Sequence, residues 1–271
     1  MAFTDVELGI LSYFSFYSFS DSDKPIDFGE YIKKHENSLK LNLGDDYSNS
    51  VEQFVTKVSG SGYTLVARKN DNSDTGFAAF AIVDSEDNIT VVCRGTEGFI
   101  NTENGKRDIK SDFQLAYQYQ TDQHRMMLEF MQRIKKQRYK SYTFTGHSLG
   151  GNLAIYGAMM LGDPELVSTC VTFNAPGYNK TFLEDYSEQI DAVKDKIVNY
   201  QNECDAVSNA FTVIGEVVVV ECKGVDFLHK DGFSAHYMDM FTIENGKFKR
   251  NRTGRKDVTI GGVFIDALTW V

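Results

Sequence analysis

The chain reads as a single α/β domain, residues 1–271, built on a mostly parallel sheet. Three observations predict this. Strand-like and helix-like runs alternate through the middle of the sequence, the pattern of βαβ units. A short strand at 142–145 runs straight into Gly146-His147-Ser148-Leu149-Gly150-Gly151, and a helix-like run follows at once. Hydrophobic residues make up 42% of the chain and only three prolines occur, which supplies a real core and argues against proline-rich linkers.

The elements follow in order. Thr4 and Glu7 have capping-box spacing, and Val6, Ile10, Phe14 and Tyr17 then share one face of a core-packing helix over 4–19. Residues 51–58 read as a short helix. The runs 63–68, 77–84 and 89–95 read as hairpin-connected strands, with a turn at Asp87-Asn88. Residues 97–112 are polar and glycine-bearing, so they read as a loop. Met127, Phe130, Met131 and Ile134 carry helical spacing within 121–137. The helix after Gly150 stops at Gly162, with Pro164 just beyond. Strands are expected at 167–176, 196–200 and 211–221, a helix at 182–194, and a hairpin turn at 244–247.

The formal charge of −10 disfavours nucleic acid and gives no general attraction to anionic headgroups. The basic clusters at 133–140 and 247–256 read as solvated faces. The four cysteines, at 93, 170, 204 and 222, are dispersed without a C-x-x-C pair and read as reduced thiols; no spacing suggests structural zinc. The N-terminus lacks a cationic leader and carries Asp5 and Glu7, and no apolar run reaches about 18 residues. The expectation is a cytoplasmic protein.

G-x-S-x-G alone is weak, but here the context fits. A nucleophile elbow needs a strand ending at the first glycine, a helix starting just after the serine, and small neighbours where the two approach. The helix start also aims N–H groups at any developing oxyanion. Ser148 is therefore the candidate nucleophile. A serine hydroxyl needs a base, and the base needs an orienting carboxylate, in the order Ser, Asp or Glu, His for such a site. Only His229 and His236 follow Ser148 at a useful distance, and His236 is favoured because it lies between a glycine-bearing loop and an apolar run. His147 reads as a packing residue. Asp205, on the loop leaving strand 196–200, is the candidate acid, with Glu203 as its rival. The amide of Leu149 is the expected oxyanion donor. Thr96, ending a strand in Arg94-Gly95-Thr96, is the candidate second donor.

These pieces resemble the class 3, fungal-type lipases of the α/β-hydrolase fold, and look closest to their bacterial, intracellular lipase-like relatives. The matching residues are VVCRGT (91–96), TFTGHSLGG (143–151) and FNAPG (173–177), with NECDAV (202–207) and AHY (235–237) as weaker matches. The resemblance implies Ser148, Asp205 and His236 as the triad, Thr96 and Leu149 as the oxyanion hole, and a lid at 98–112. That segment is polar, however, and the acid loop lacks the proline that relatives often carry after the aspartate. The implied activity is hydrolysis of an acyl ester, soluble or lipid, with transient contact to a membrane or micelle surface and without metal or organic cofactor. An inactive scaffold used for binding, or a related acyl-transfer enzyme, would share the same motifs.

Overall fold

The computed structural model describes residues 2–17, 19–71, 74–95, 121–223 and 234–254, together with the backbone of 259–260 and 263–264. Eight strands form one sheet in the order of the sequence: β1 (Ile26–Asp27), β2 (Thr64–Asp71), β3 (Phe77–Val83), β4 (Asn88–Cys93), β5 (Ser141–His147), β6 (Val167–Phe173), β7 (Ile197–Asn202) and β8 (Glu216–Val220). The pairs from β1 to β4 are antiparallel, and those from β4 to β8 are parallel. The predicted mixed, mostly parallel sheet flanked by helices is thus the observed one.

The parallel strands advance in one direction across the sheet. Right-handed crossovers then place the described connecting helices on the same face. Those helices are α5 (Asp122–Ile134), α6 (Leu149–Met159), α7 (Lys180–Asp185) and α8 (Ser187–Val193). Ala79, Ala81, Val91, Cys93 and Phe144 point to this face, against Met127, Phe130 and Met131 of α5 and Leu153 and Ile155 of α6. The alternate residues Phe80, Ile82 and Val92 point the other way, as the period of two in a strand requires. That second face is closed by α1 (Asp5–Phe14), α2 (Phe28–Lys33), α3 (Glu36–Leu43) and α4 (Asp45–Ser59), joined by Met238, Phe241 and Phe248 from the far end of the described chain.

The Thr4–Glu7 capping box forms in both directions, with Thr4 N–H donating to Glu7 Oε2 at 2.7 Å and Glu7 N–H to Thr4 Oγ1 at 3.3 Å. Several boundaries differ from expectation. α1 ends at Phe14 rather than near 19, because the chain turns at Phe16 and Tyr17 with their amides on Tyr13 and Phe14 carbonyls. The helix expected at 51–58 runs over the 15 residues of α4. The helix expected at 182–194 breaks at Tyr186 into α7 and α8. The strand expected over 211–221 begins only at Glu216, because Phe211 and Gly215 hold positive φ values of 66° and 91° that no ladder accepts. The hairpin at 244–247 is present, between β9 (Ile243–Glu244) and β10 (Lys247–Phe248). No helix among the described residues is long and apolar enough to cross a membrane.

Candidate active site

The C-terminal ends of β4 to β7 lie side by side, since Cys93 pairs with Gly146, Gly146 with Thr172, and Phe173 with Tyr200. The chain therefore delivers Gly95, Ser148, Asn174 and the loop 203–208 to one edge, where open α/β sheets gather their sites.

Ser148 sits between β5 and α6 at φ 57°, ψ −134°. A side-chain-bearing residue in this region is strained, at a cost on the order of 1–3 kcal/mol, and persists only where its surroundings enforce it. Here they do. A Cβ added to Gly150 would meet Cys93 O and lie 2.6 Å from Arg94 C and 2.7 Å from Gly95 N, all backbone atoms. One added to Gly151 would lie 2.6 Å from Ala175 Cβ. Strand ends and helix start thus touch through glycines, as the elbow reading of the sequence requires. Gly150→Ala is expected to cost about 3 kcal/mol or more of stability, because backbone cannot yield as a flexible side chain can; urea denaturation measures it.

Leu149 opens α6, so its amide belongs to the first helical turn, whose N–H groups have no acceptor within the helix. Beside it lies a narrow pocket of about 20 Å³, room for a single water, lined by Leu149, Asn152, Tyr178, Phe182 and Phe211 among others. Its polar wall is a closed network. Thr121 N–H donates to His124 Nδ1 at 3.2 Å, His124 Nε2 bonds Asn152 Oδ1 at 3.2 Å, and Asn152 Nδ2 donates to Gly177 O at 3.2 Å. Burial lowers the pKa of His124 to about 4, so the ring is neutral at pH 7.

Asp205 and His236 come together. His236 Nδ1 bonds Asp205 Oδ1 at 2.9 Å, and both side chains are wholly buried. The carboxylate also accepts the amides of Val207 at 3.1 Å and Ser208 at 2.9 Å, and the Ser208 hydroxyl. With donors on both oxygens it is held as an acceptor, so the proton of a neutral His236 stays on Nδ1 and the lone pair falls on Nε2. Asp205 is a turn-capping residue and the histidine's partner at once. Its rival Glu203 is turned elsewhere, onto Cys222 N at 2.9 Å and Asn251 Nδ2. Thr96, the segment 98–112 and His229 lie outside the described residues.

Two residues of the site have positions that their sequence context does not reveal. His147 is more than a packing residue: its Nε2 lies 2.7 Å from the main-chain carbonyl of His236, and the two rings are 4.7 Å apart. Asn174, at φ 48°, donates from Nδ2 to the same carbonyl at 3.0 Å and accepts the Asn202 amide at 2.8 Å. The backbone of His236 is thus clamped to the residue preceding Ser148 and to the end of β6. Their one sequence signal is a polar side chain at the end of a buried apolar strand.

Burial, with a smaller repulsion from His236, lowers the pKa of His147 from 6.5 to about 3. Between those values the unfolded chain binds a proton that the folded one refuses, so stability falls as pH falls from 6.5 toward 3. His147→Gln, which keeps a donor for the His236 carbonyl, should flatten the pH dependence of the melting temperature in that window.

An eight-stranded mixed sheet with a strained serine on the turn between β5 and its helix has the arrangement of the α/β-hydrolase class. The chain belongs to the Mbeg1-like family, whose model matches residues 62–262. Among curated proteins nothing matches. Similar solved structures include a mono- and diacylglycerol lipase from Aspergillus oryzae, at 17% identity, 79% of this chain, 77% of that one and a TM-score of 0.49. M37 lipase is 14% identical over 78% of this chain and 70% of its own, with a TM-score of 0.47. A triacylglycerol lipase with a serine-protease triad is also 14% identical, over 80% and 78%, with a TM-score of 0.47. At such identities and scores, activity does not transfer from those proteins to this one.

Proposed function

We propose that this protein is a serine ester hydrolase acting on a carboxylic ester, with a lipid or other acyl ester as substrate. The observation that carries the reading is the pairing of a strained serine on an elbow with a buried His236–Asp205 couple whose backbone is tied to that elbow. His236 Nε2 accepts the Ser148 proton as Oγ attacks the ester carbonyl. The Leu149 amide, with Thr96 as second donor, stabilises the oxyanion. Collapse of the tetrahedral intermediate breaks the bond to the alcohol, which leaves with the proton held by His236. Water, deprotonated by the same histidine, then releases the acid from the acyl-enzyme. Asp205 fixes the tautomer and balances the imidazolium.

The test is mass spectrometry after exposure to a small alkyl fluorophosphonate. Adduct on the peptide carrying Ser148, absent from heat-denatured protein, is expected. Adduct elsewhere, or none with detergent present as well, would refute the reading.

A further inference from the structure

One aromatic side chain outside the assigned residues reaches the elbow. Phe16 follows α1 in a turn, and its ring stands edge-on to that of His147, with centroids 6.1 Å apart at 64°. The position of a Cβ on Gly95 lies 3.2 Å from Ser148 Cβ and 3.5 Å from Phe16 Cζ. The ring tip, the end of the β4 run and the serine therefore close on one spot. Phe16 is only half-buried, so part of its ring remains outside the core.

Its seat is fixed by the strand that carries the serine. Ser12 Oγ donates to Leu8 O at 2.9 Å and bonds Thr145 Oγ1 of β5 at 2.9 Å, and Ser15 Oγ donates to Ser12 O at 2.6 Å. The Tyr13 ring packs on Phe16 at 6.4 Å. Such anchoring holds the ring in one place relative to Ser148.

The side of the cleft follows from the chemistry. An ester's alcohol leaves toward the base that protonates it. The segment carrying His236 packs on the face that α1 covers, through Met238 and Phe241, and the His147 ring neighbours both the His236 and the Phe16 rings. The narrow pocket beside Leu149 lies among α6, α7 and the start of α5, the helices of the opposite face, so the Phe16 side of the serine is distinct from it.

On the ester-hydrolase reading above, we infer that Phe16 is a specificity residue for the alcohol half of the ester, contacting the leaving group and favouring bulky apolar alcohols over small ones. kcat/KM should be measured for two series on the purified full chain. One holds the acyl group as butyrate and compares ethyl with 2-phenylethyl alcohol, which differ little in leaving-group acidity. The other holds ethyl alcohol and lengthens the acyl chain. Phe16→Ala is expected to lower the 2-phenylethyl-to-ethyl preference about tenfold and to leave the acyl-length trend as in the native protein, since a lost apolar contact acts only on the substrate half that made it. Phe16→Leu should give a smaller drop in the same direction, and melting curves confirm that each variant is folded. A shift in the acyl-length trend with an unchanged alcohol preference would overturn the assignment, as would no change in either. Failure of the ester-hydrolase reading looks different: the native protein would hydrolyse neither series and Ser148 would not take a fluorophosphonate, and the assignment would fall with it.

Discussion

Ser148→Ala will abolish ester turnover and leave the melting temperature where it was. Loss of the nucleophile from a triad-type site costs about a millionfold in kcat, because the remaining members then have nothing to activate. Stability should hold, because alanine keeps the Cβ that makes φ 57° unfavourable and removes a hydroxyl that is not needed to build the elbow. Ser148→Gly separates the two roles. It is equally inactive, but glycine tolerates this backbone region, so its stability should rise by about 1 kcal/mol, read as a higher urea midpoint. A fully active Ser148→Ala would displace the site from the elbow. A Ser148→Gly no more stable than native would mean that the turn imposes no strain.

Asp205→Asn should lower kcat by about three to four orders of magnitude and cost stability as well. The carboxylate accepts from His236 and Val207 on one oxygen and from Ser208 on the other. An asparagine must turn its NH2 group toward one of these donor sets, and each buried donor left without an acceptor costs about 1–3 kcal/mol. If the NH2 faces His236, the imidazole is driven to the wrong tautomer and Nε2 can no longer accept the serine proton. Glu203→Gln serves as the control, because Glu203 is bound to Cys222 and Asn251 instead; its kcat should stay within about twofold of native. Equal losses in both variants would return the choice of acid to an open state. His236→Ala against His229→Ala tests the base in the same assay, with the large loss expected at His236 alone.

The parts of this site that were legible in the sequence are those whose causes are local. Strand, glycine, serine and helix start follow one another within ten residues, and each constrains its neighbour sterically, so the elbow could be read directly. Asp205 and His236 were legible through chain order and loop placement. His147 and Asn174 were not, because the atom they both hold, the His236 carbonyl, lies 89 and 62 residues away, and no local pattern encodes a partner at that distance. The fold shows the same division. The central strands were legible as apolar strand-like runs and α5 by its helical spacing, whereas α2 and α3 are 6 and 8 residues long, too short to carry a period. The stretch 211–215 looked like strand because it is apolar, yet Phe211 lines the pocket beside Leu149 instead of joining a ladder.

The covering of the second sheet face has a consequence for the order in which the protein becomes competent. α1 precedes its seat on β5, made through the Ser12–Thr145 bond, by 133 residues. Tyr47 then waits for the Met238 carbonyl, 191 residues later. A nascent chain that already carries the elbow therefore has an unclosed sheet face and lacks His236. Contacts of such long sequence separation slow folding and leave apolar surface open meanwhile. A chain cut off before His236 should thus lack the base of the proposed triad and the closure of that face, and should bind chaperones through its open apolar surface.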